Sequence, residues 1–189
     1  MSGEGKPVSG TYIAAWEKAT PEFASALEII QFERRDQLEV CDCLEMIADQ
    51  LPDQVDISLY ECTHEKLRHN LPVYHQNEEA LFELVRERAS ESVDVPSMLE
   101  CIRREHVVHN CYADELYESL NDLRAGRGTQ SPAAVGYMLR FCFDSIRRHL
   151  AWENMTLIPL AKQILRSNDL AMLLDTVQEN RKGISLKIV

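Results

Sequence analysis

The sequence predicts an all-α fold, an antiparallel up-down-up-down four-helix bundle followed by a short C-terminal fifth helix. Apolar residues recur every three to four positions along four long segments, the spacing of helices with one buried face. Hydrophobic residues make up 45% of the 189 positions, which is enough for a sizeable core. Only 7 glycines and 7 prolines are present, too few for an all-β protein rich in turns.

The first part of the chain predicts an arm and then a helix. Residues 1–19 are polar for the most part and are expected to form an N-terminal arm. Thr20 followed by Pro21 is typical of a helix start, with an N-cap before a proline at the first helical position. The first apolar stripe follows and ends before Pro52.

The later helices follow from the same periodicity. A second helix is expected over residues 55–88, where Pro72 should kink it or divide it, because proline lacks the backbone N–H that a helix interior needs. Further stripes predict a third helix with apolar positions from 99 to 123, a fourth from 132 to about 165 and a fifth over 168–180. The expected organisation is therefore an arm at 1–19, a bundle at 20–166, and a short helix with a tail at 167–189.

Composition and charge exclude several function classes. The formal net charge of −11 argues against a nucleic-acid-binding surface and against binding to anionic membranes. No apolar run reaches the roughly 18 residues of a membrane-spanning helix, and the polar N-terminus lacks an apolar signal core. The 6 cysteines form no C-x-x-C pair, so reduced core thiols in a cytoplasmic protein are expected rather than a zinc site.

The fourth helix carries the clearest candidate site. His149 and Glu153 lie four residues apart and share one helix face, and Leu157 and Leu160 continue that face toward a core. A histidine and a carboxylate directed into the interior of a helical bundle are typical components of a buried metal site. On the third helix, His106 lies on the inward stripe, and His109 follows one turn later as an additional candidate.

The second helix offers two neighbouring stripes that could face the core. The stripe through His75 and Glu79 continues into charged positions, whereas the stripe through Tyr74 and Glu78 continues into Phe82 and Val85. We therefore expect Glu78 to point inward and His75 to be exposed or partly exposed, and His75 is kept only as a possible additional ligand. His64 and His69 are also expected to lie outside any site.

Four segments together carry a resemblance to a known family, the hemerythrin-like or HHE cation-binding domain. The segments are "FERRDQLEVCDCLEMIAD" at 32–49, Glu78-Glu79 with Leu81-Phe82, "IRREHVVHNCYADELYESL" at 102–120, and "RRHLAWENMTLIPLA" at 147–161. The resemblance covers about residues 21–165. It implies a four-helix bundle around a non-haem di-iron centre that binds dioxygen or nitric oxide, stores iron, or senses iron and oxygen.

The resemblance also implies where the metal ligands lie. It carries His106, His149, Glu153 and Glu78 over as ligands and places Tyr74 at a histidine position of the second helix. The histidine of the family's first helix falls at Arg34. Its guanidinium has no lone pair for a metal and carries a permanent charge.

An inward Arg34 changes what the centre can hold. A dication about 5 Å from a guanidinium is repelled by roughly 6–7 kcal/mol at an effective dielectric of about 20, which corresponds to four to five decades of affinity. A buried guanidinium in turn needs anionic partners, and Glu78 and Glu153 are the candidates for a central salt bridge. Tyr74 argues less strongly than Arg34 against a bound metal, because a phenolate can bind ferric iron.

Three functions therefore stay open at this point. The first is a metal-poor or metal-free bundle that acts as a sensor or as an interaction module for an unidentified protein partner. The second is an iron protein with a di-iron or mononuclear centre for dioxygen or nitric oxide. An oxidising di-iron enzyme is the least favoured, because it needs several carboxylates and an open coordination position.

Overall fold

A computed structural model describes residues 25–51, 55–89, 92, 94–127 and 131–185. This part of the chain is helical and contains no strand, which confirms the predicted all-helical fold. Its elements are α1 (Ala26–Gln50), α2 (Ile57–Glu65), a π-helical segment (Lys66–Asn70), α3 (Leu71–Arg88), α4 (Asp94–Arg124), α5 (Pro132–Met155), α6 (Leu157–Ile164) and α7 (Ser167–Ser185).

The expected arm at 1–19, the helix start at Thr20 and the last four residues lie outside the described residues. Among the described helices, none is both long enough and apolar enough to cross a membrane.

Side-chain caps begin two of the helices. The Ser25 side chain accepts a hydrogen bond from the backbone N–H of Glu28 at 3.3 Å at the start of α1. Ser131 does the same for Ala134 at 3.2 Å at the start of α5, where Pro132 occupies the first turn. The predicted start of the fourth helix is confirmed there, because the cap satisfies an N–H that has no partner within the helix.

The predicted second helix is divided, as the proline indicated. Pro72 lies in the first turn of α3, and the π-helical segment Lys66–Asn70 joins that helix to α2. A π-helical turn shifts the hydrogen-bond pattern by one residue, so the chain continues through the point where proline offers no N–H. The helical direction is thereby adjusted without a loop.

Two apolar clusters form the core, and a polar layer separates them. One cluster contains Leu44, Leu116 and Leu139, and the other contains Phe82 and Leu99. Between these levels α1, α3, α4 and α5 each bury polar or charged side chains, listed in order along the chain as Glu33, Arg34, Asp36, Gln37, Tyr74, His75, Asn77, Glu78, His106, His109, Ser145, His149 and Glu153. The candidate site is therefore a middle layer shielded from water on both sides by apolar packing.

The last helix, α7, packs against α3 and α1. Asp169 at its start accepts two hydrogen bonds from Arg88 of α3, at 2.8 and 2.6 Å. Near its other end, Asn180 donates to Asn77 at 2.9 Å and Arg181 donates to Glu33 at 2.9 Å. The predicted fifth helix is thus longer than expected, and it covers one side of the polar layer.

Acid should weaken this attachment. Hydrogen bonds from the Arg88 side chain and from the backbone N–H of Arg166 hold the pKa of Asp169 at about 2, below its ordinary value of 3.8. Because the folded-state pKa is depressed, the stabilisation is complete above pH 3.8 and is lost as the pH falls toward 2. Urea unfolding of Asp169→Asn should show lower stability at neutral pH and a flatter pH dependence in this window. The exposed Asp175 of the same helix supplies the control; an equal effect of Asp175→Asn would contradict the assignment.

Candidate metal centre

Four buried side chains from three helices converge in the polar layer. Glu78 of α3, His106 of α4, and His149 and Glu153 of α5 each offer one ligand atom, and these atoms lie within 4.8 Å of one another. None of the four residues is more than 3% exposed. His149 and Glu153 reach the same space because they lie one helical turn apart.

Two carboxylates at the edge of the layer fix the orientation of the histidine rings. Glu105 lies 2.6 Å from Nδ1 of His149, and Glu79 lies 3.3 Å from Nδ1 of His106. An ionised carboxylate only accepts hydrogen bonds, so each Nδ1 is a donor, and in the neutral ring Nε2 keeps its lone pair. This carboxylate–histidine arrangement is typical of histidines that bind a metal.

The remaining ring nitrogens face each other. Nε2 of His106 and Nε2 of His149 are 3.1 Å apart. With both Nδ1 atoms engaged, two neutral rings would direct two lone pairs at each other, so the arrangement requires a proton or a cation.

The two glutamates direct oxygen atoms at the same place. Oε2 of Glu78 lies 3.2 Å from Nε2 of His106, and Oε1 of Glu153 lies 3.5 Å from Nε2 of His149. Both oxygens are buried and have no hydrogen-bond partner. Two imidazole nitrogens and two carboxylate oxygens are a donor set that suits a first-row transition metal such as iron. The residues present therefore fit one metal ion.

Arg34 binds the other oxygen of each glutamate. Its Nε donates to Oε1 of Glu78 at 3.1 Å, and its Nη2 donates to Oε2 of Glu153 at 2.7 Å. Nη1 donates to Oδ1 of Asn154 at 3.3 Å, and Arg34 is only 2% exposed. The salt bridges expected from the sequence agree with these distances. From the sequence, an inward Arg34 and a metal are alternatives, whereas in the structure Arg34 uses only one oxygen of each glutamate and leaves the other without a partner.

The ionisation of the layer shows how much positive charge the two glutamates require. Burial and the charge of Glu78 raise the pKa of Glu153 to about 8, although Arg34 acts in the opposite direction. Burial alone would lower the pKa of His106, but the adjacent carboxylates of Glu78 and Glu79 outweigh it and raise the value to about 9. Burial alone would likewise raise the pKa of Glu78, but His106 and Arg34 hold it low. A guanidinium therefore does not neutralise the pair by itself.

A comparison with known protein families decides the identity of the fold. The family model described as the hemerythrin HHE cation binding domain matches residues 26–161. The chain belongs to the hemerythrin HHE family. No curated protein matches the chain, and no solved structure does.

The hemerythrin resemblance placed Tyr74 among the metal ligands, but the Tyr74 hydroxyl has a different partner in the structure. Tyr74 is buried, and its hydroxyl donates to Oδ2 of Asp36 at 2.6 Å and accepts from Nδ2 of Asn70 at 3.1 Å. Lys66 pairs with the same aspartate. Burial and the neighbouring Asp36 raise the pKa of Tyr74, so the phenol keeps its proton. The sequence placed this hydroxyl among the metal ligands, but it is bonded to Asp36 instead.

The burial of His75 also differs from the sequence prediction. His75 was expected to be exposed or partly exposed, yet it is 3% exposed, and its ring stacks on that of His106 with centroids 4.1 Å apart. Nδ1 lies 3.0 Å from Oδ1 of Asn110. The prediction was wrong because α4 covers this one position, with His106, His109 and Asn110 around the ring, while Glu79 and Arg86 of the same stripe remain more exposed.

The other histidines lie around or outside the centre. His109 is buried, with Nε2 3.0 Å from Oγ of Ser145 and its ring edge-on to His149. Burial, followed by the neighbouring His149 and His106, lowers the pKa of His109 to about 3, so it is neutral. His64 stacks on Tyr117, as expected for a residue outside the site. His69 is also outside it, 3.5 Å from Glu65.

Sequence reasoning missed three carboxylates that support the layer. Glu33 is 1% exposed and accepts hydrogen bonds from Asn77 and Arg181, although its charged neighbours indicated a solvated run. Glu79 and Glu105 were not identified as partners of the ligand histidines. Their positions next to Glu78 and His106 in the sequence were the available signal.

Removing the buried guanidinium should destabilise the fold. Arg34→Met leaves two buried carboxylates without their fixed cation, and we expect a loss of about 3–5 kcal/mol in the free energy of unfolding of the metal-free protein. The exposed neighbour Arg35 is a matched control, and Arg35→Met should change stability by no more than about 0.5 kcal/mol. Urea unfolding monitored by circular dichroism measures both. Equal small losses for the two variants would show that the central salt bridges contribute little.

Proposed function

We propose that this hemerythrin HHE protein binds a single iron ion through His106, His149, Glu78 and Glu153, with Arg34 as a fixed cation in place of a second ion. One observation carries the proposal. The two Nε2 atoms face each other at 3.1 Å while both Nδ1 atoms are held by carboxylates. Two unpartnered glutamate oxygens point to the same space.

The limit of one ion rests on the available oxygen atoms. Arg34 already occupies Oε1 of Glu78 and Oε2 of Glu153, so a second ion on that side would find neither carboxylate oxygen free. Tyr74, at the other substituted histidine position, is bonded to Asp36. Repulsion from the guanidinium acts in the same direction.

Each group of the chain has a definite part in this site. Iron, when bound, supplies a redox-active centre of the kind that binds dioxygen or nitric oxide. Glu79 and Glu105 orient the rings, and Arg34 balances the charge of the glutamates. The apolar clusters above and below keep bulk water away from the layer. At neutral pH, metal binding displaces the protons held by His106 and Glu153.

The biological role within this proposal is that of a sensor or interaction module rather than an enzyme. A cytoplasmic location is part of the proposal, and the buried free thiols of Cys41, Cys43 and Cys142 support it. Dioxygen or nitric oxide is the proposed small ligand, and neither nucleic acid nor membrane is a proposed partner. The net charge of −11 supports that exclusion.

The finer architecture is proposed in the same way. The helices α1, α3 and α4, and α5 continued by α6, meet the two apolar clusters in alternating order along the chain, which supports an antiparallel up-down-up-down bundle. The division into an arm at 1–19, a bundle at 20–166 and a tail at 167–189 is also proposed, with α7 packed onto the bundle.

A metal-free bundle is the second candidate. The raised pKa values of His106 and Glu153 favour it, because two protons also supply the positive charge that the layer requires.

Metal content separates the two candidates. Protein purified without a chelating tag should bind about one ferrous ion per chain in anaerobic titration, as measured by elemental analysis after gel filtration. His149→Ala should abolish binding, because it removes one of two nitrogen donors, whereas His69→Ala, outside the centre, should bind as the parent protein does. No binding would favour the metal-free bundle, and two ions per chain would show that Arg34 does not occupy the second position.

A further inference from the structure

The outer face of α5 carries a regular stripe of large side chains. Tyr137, Phe141, Asp144, Arg148, Trp152 and Met155 make up this outer stripe. At about 100° per residue they fall within an arc roughly 80° wide, and the arc is centred about 160° from the core-facing side of the helix. The stripe therefore points away from the bundle along the whole of Pro132–Met155.

The apolar members of the stripe are exposed. Tyr137 is 73% exposed and Met155 79%, and Phe141 and Trp152 are each 41% exposed. The neighbouring helix α4 adds Val107 and Val108. In the described part of the chain only Leu38 and Met172 are exposed large apolar residues on other helices. Such a concentration marks an interaction surface, since single exposed apolar residues are normally scattered.

The stripe is self-complementary about its midpoint. Tyr137 and Met155 lie nine residues on either side of Ile146, and Asp144 and Arg148 lie two residues on either side of it. If a second copy of α5 ran antiparallel with its midpoint opposite, each Asp144 would face Arg148 of the second copy, and each Tyr137 would face Met155.

The same register also places a large side chain opposite a small one. Phe141 lies five residues before Ile146, and the exposed Ala151 lies five residues after it, next to Trp152. With Ala151 in place of Trp152, the positions of this stripe repeat as the a and d positions of a heptad, and in an antiparallel pair each a position meets a d position.

The two central charged residues form no ion pair in the described part of the chain. Asp144 and Arg148 are exposed, and neither forms an ion pair with another described residue. Opposite charges at the centre of an apolar stripe set register and partner choice, because a shifted or parallel pairing would bury them against apolar or like-charged groups.

The available area is sufficient for a stable pair. Ring contact between Tyr112 of α4 and Phe141, at 4.7 Å, makes the two helices one continuous face. A face two helices wide and 24 residues long covers about 700 Å² per copy, close to the roughly 800 Å² of a standard interface.

We propose that the partner of this surface is a second copy of the same chain, and that the protein forms a two-fold symmetric dimer through antiparallel contact of the outer stripes of α5. A two-fold interface must be complementary to itself, which is the property of the stripe. The proposal is independent of the metal centre, because the ligand residues of α5 lie on its opposite side.

Charge reversal tests both the dimer and its register in the full-length protein. Arg148→Asp places two carboxylates opposite each other at both central positions, and Asp144→Arg places two guanidinium groups there. Each variant should weaken the dimer at least about tenfold in Kd by sedimentation equilibrium. The double variant Asp144→Arg with Arg148→Asp should dimerise as the parent does.

The most decisive measurement uses an equimolar mixture of the two single variants. One variant carries two central carboxylates and the other two central guanidinium groups, so the mixture should form a heterodimer while each variant alone stays monomeric. Arg86→Asp, the same change at an exposed position of α3, is the control and should leave the dimer intact. Circular dichroism confirms that each variant folds. A monomeric parent protein would overturn the proposal, as would single variants that dimerise normally or a mixture that fails to associate.

Discussion

Two fully buried carboxylates, Glu78 and Glu153, are the constraint on which the rest of the structure depends. Apolar packing above and below prevents water from solvating them, so the protein itself must provide positive charge. Arg34 provides part of it and still leaves the pKa of Glu153 at about 8. A proton or a metal ion has to provide the rest, and the positions of His106, His149, Glu79 and Glu105 all follow from that need.

A fixed guanidinium gives this centre a property that a pair of ions would not. Arg34 cannot dissociate from the chain as an ion can, and its three hydrogen bonds tie α1 to α3 and α5. Part of the central charge balance is therefore independent of metal supply. Such a centre can keep its fold when the ion leaves, which is compatible with the proposed sensing role.

Much of this arrangement could be predicted from the sequence, since periodicity fixes which side of a helix faces inward. It identified the inward faces of His106, His149, Glu153 and Glu78, and the resemblance to the HHE domain placed Arg34 at an inward position of the first helix. Periodicity does not show how many neighbours a helix has. Glu33 is buried because Arg181 of α7 packs on it, and His75 is buried because His106, His109 and Asn110 of α4 surround its ring. Neither was expected to be buried.

The central claim is that one ion and one guanidinium share the two glutamates. X-ray absorption at the iron K-edge of the iron-loaded protein tests this directly, because it detects the atoms around iron. The account predicts nitrogen and oxygen neighbours with the multiple-scattering signature of two imidazoles, and no second iron at about 3.5 Å, the usual spacing of two-metal sites. An iron–iron distance in that range would contradict it.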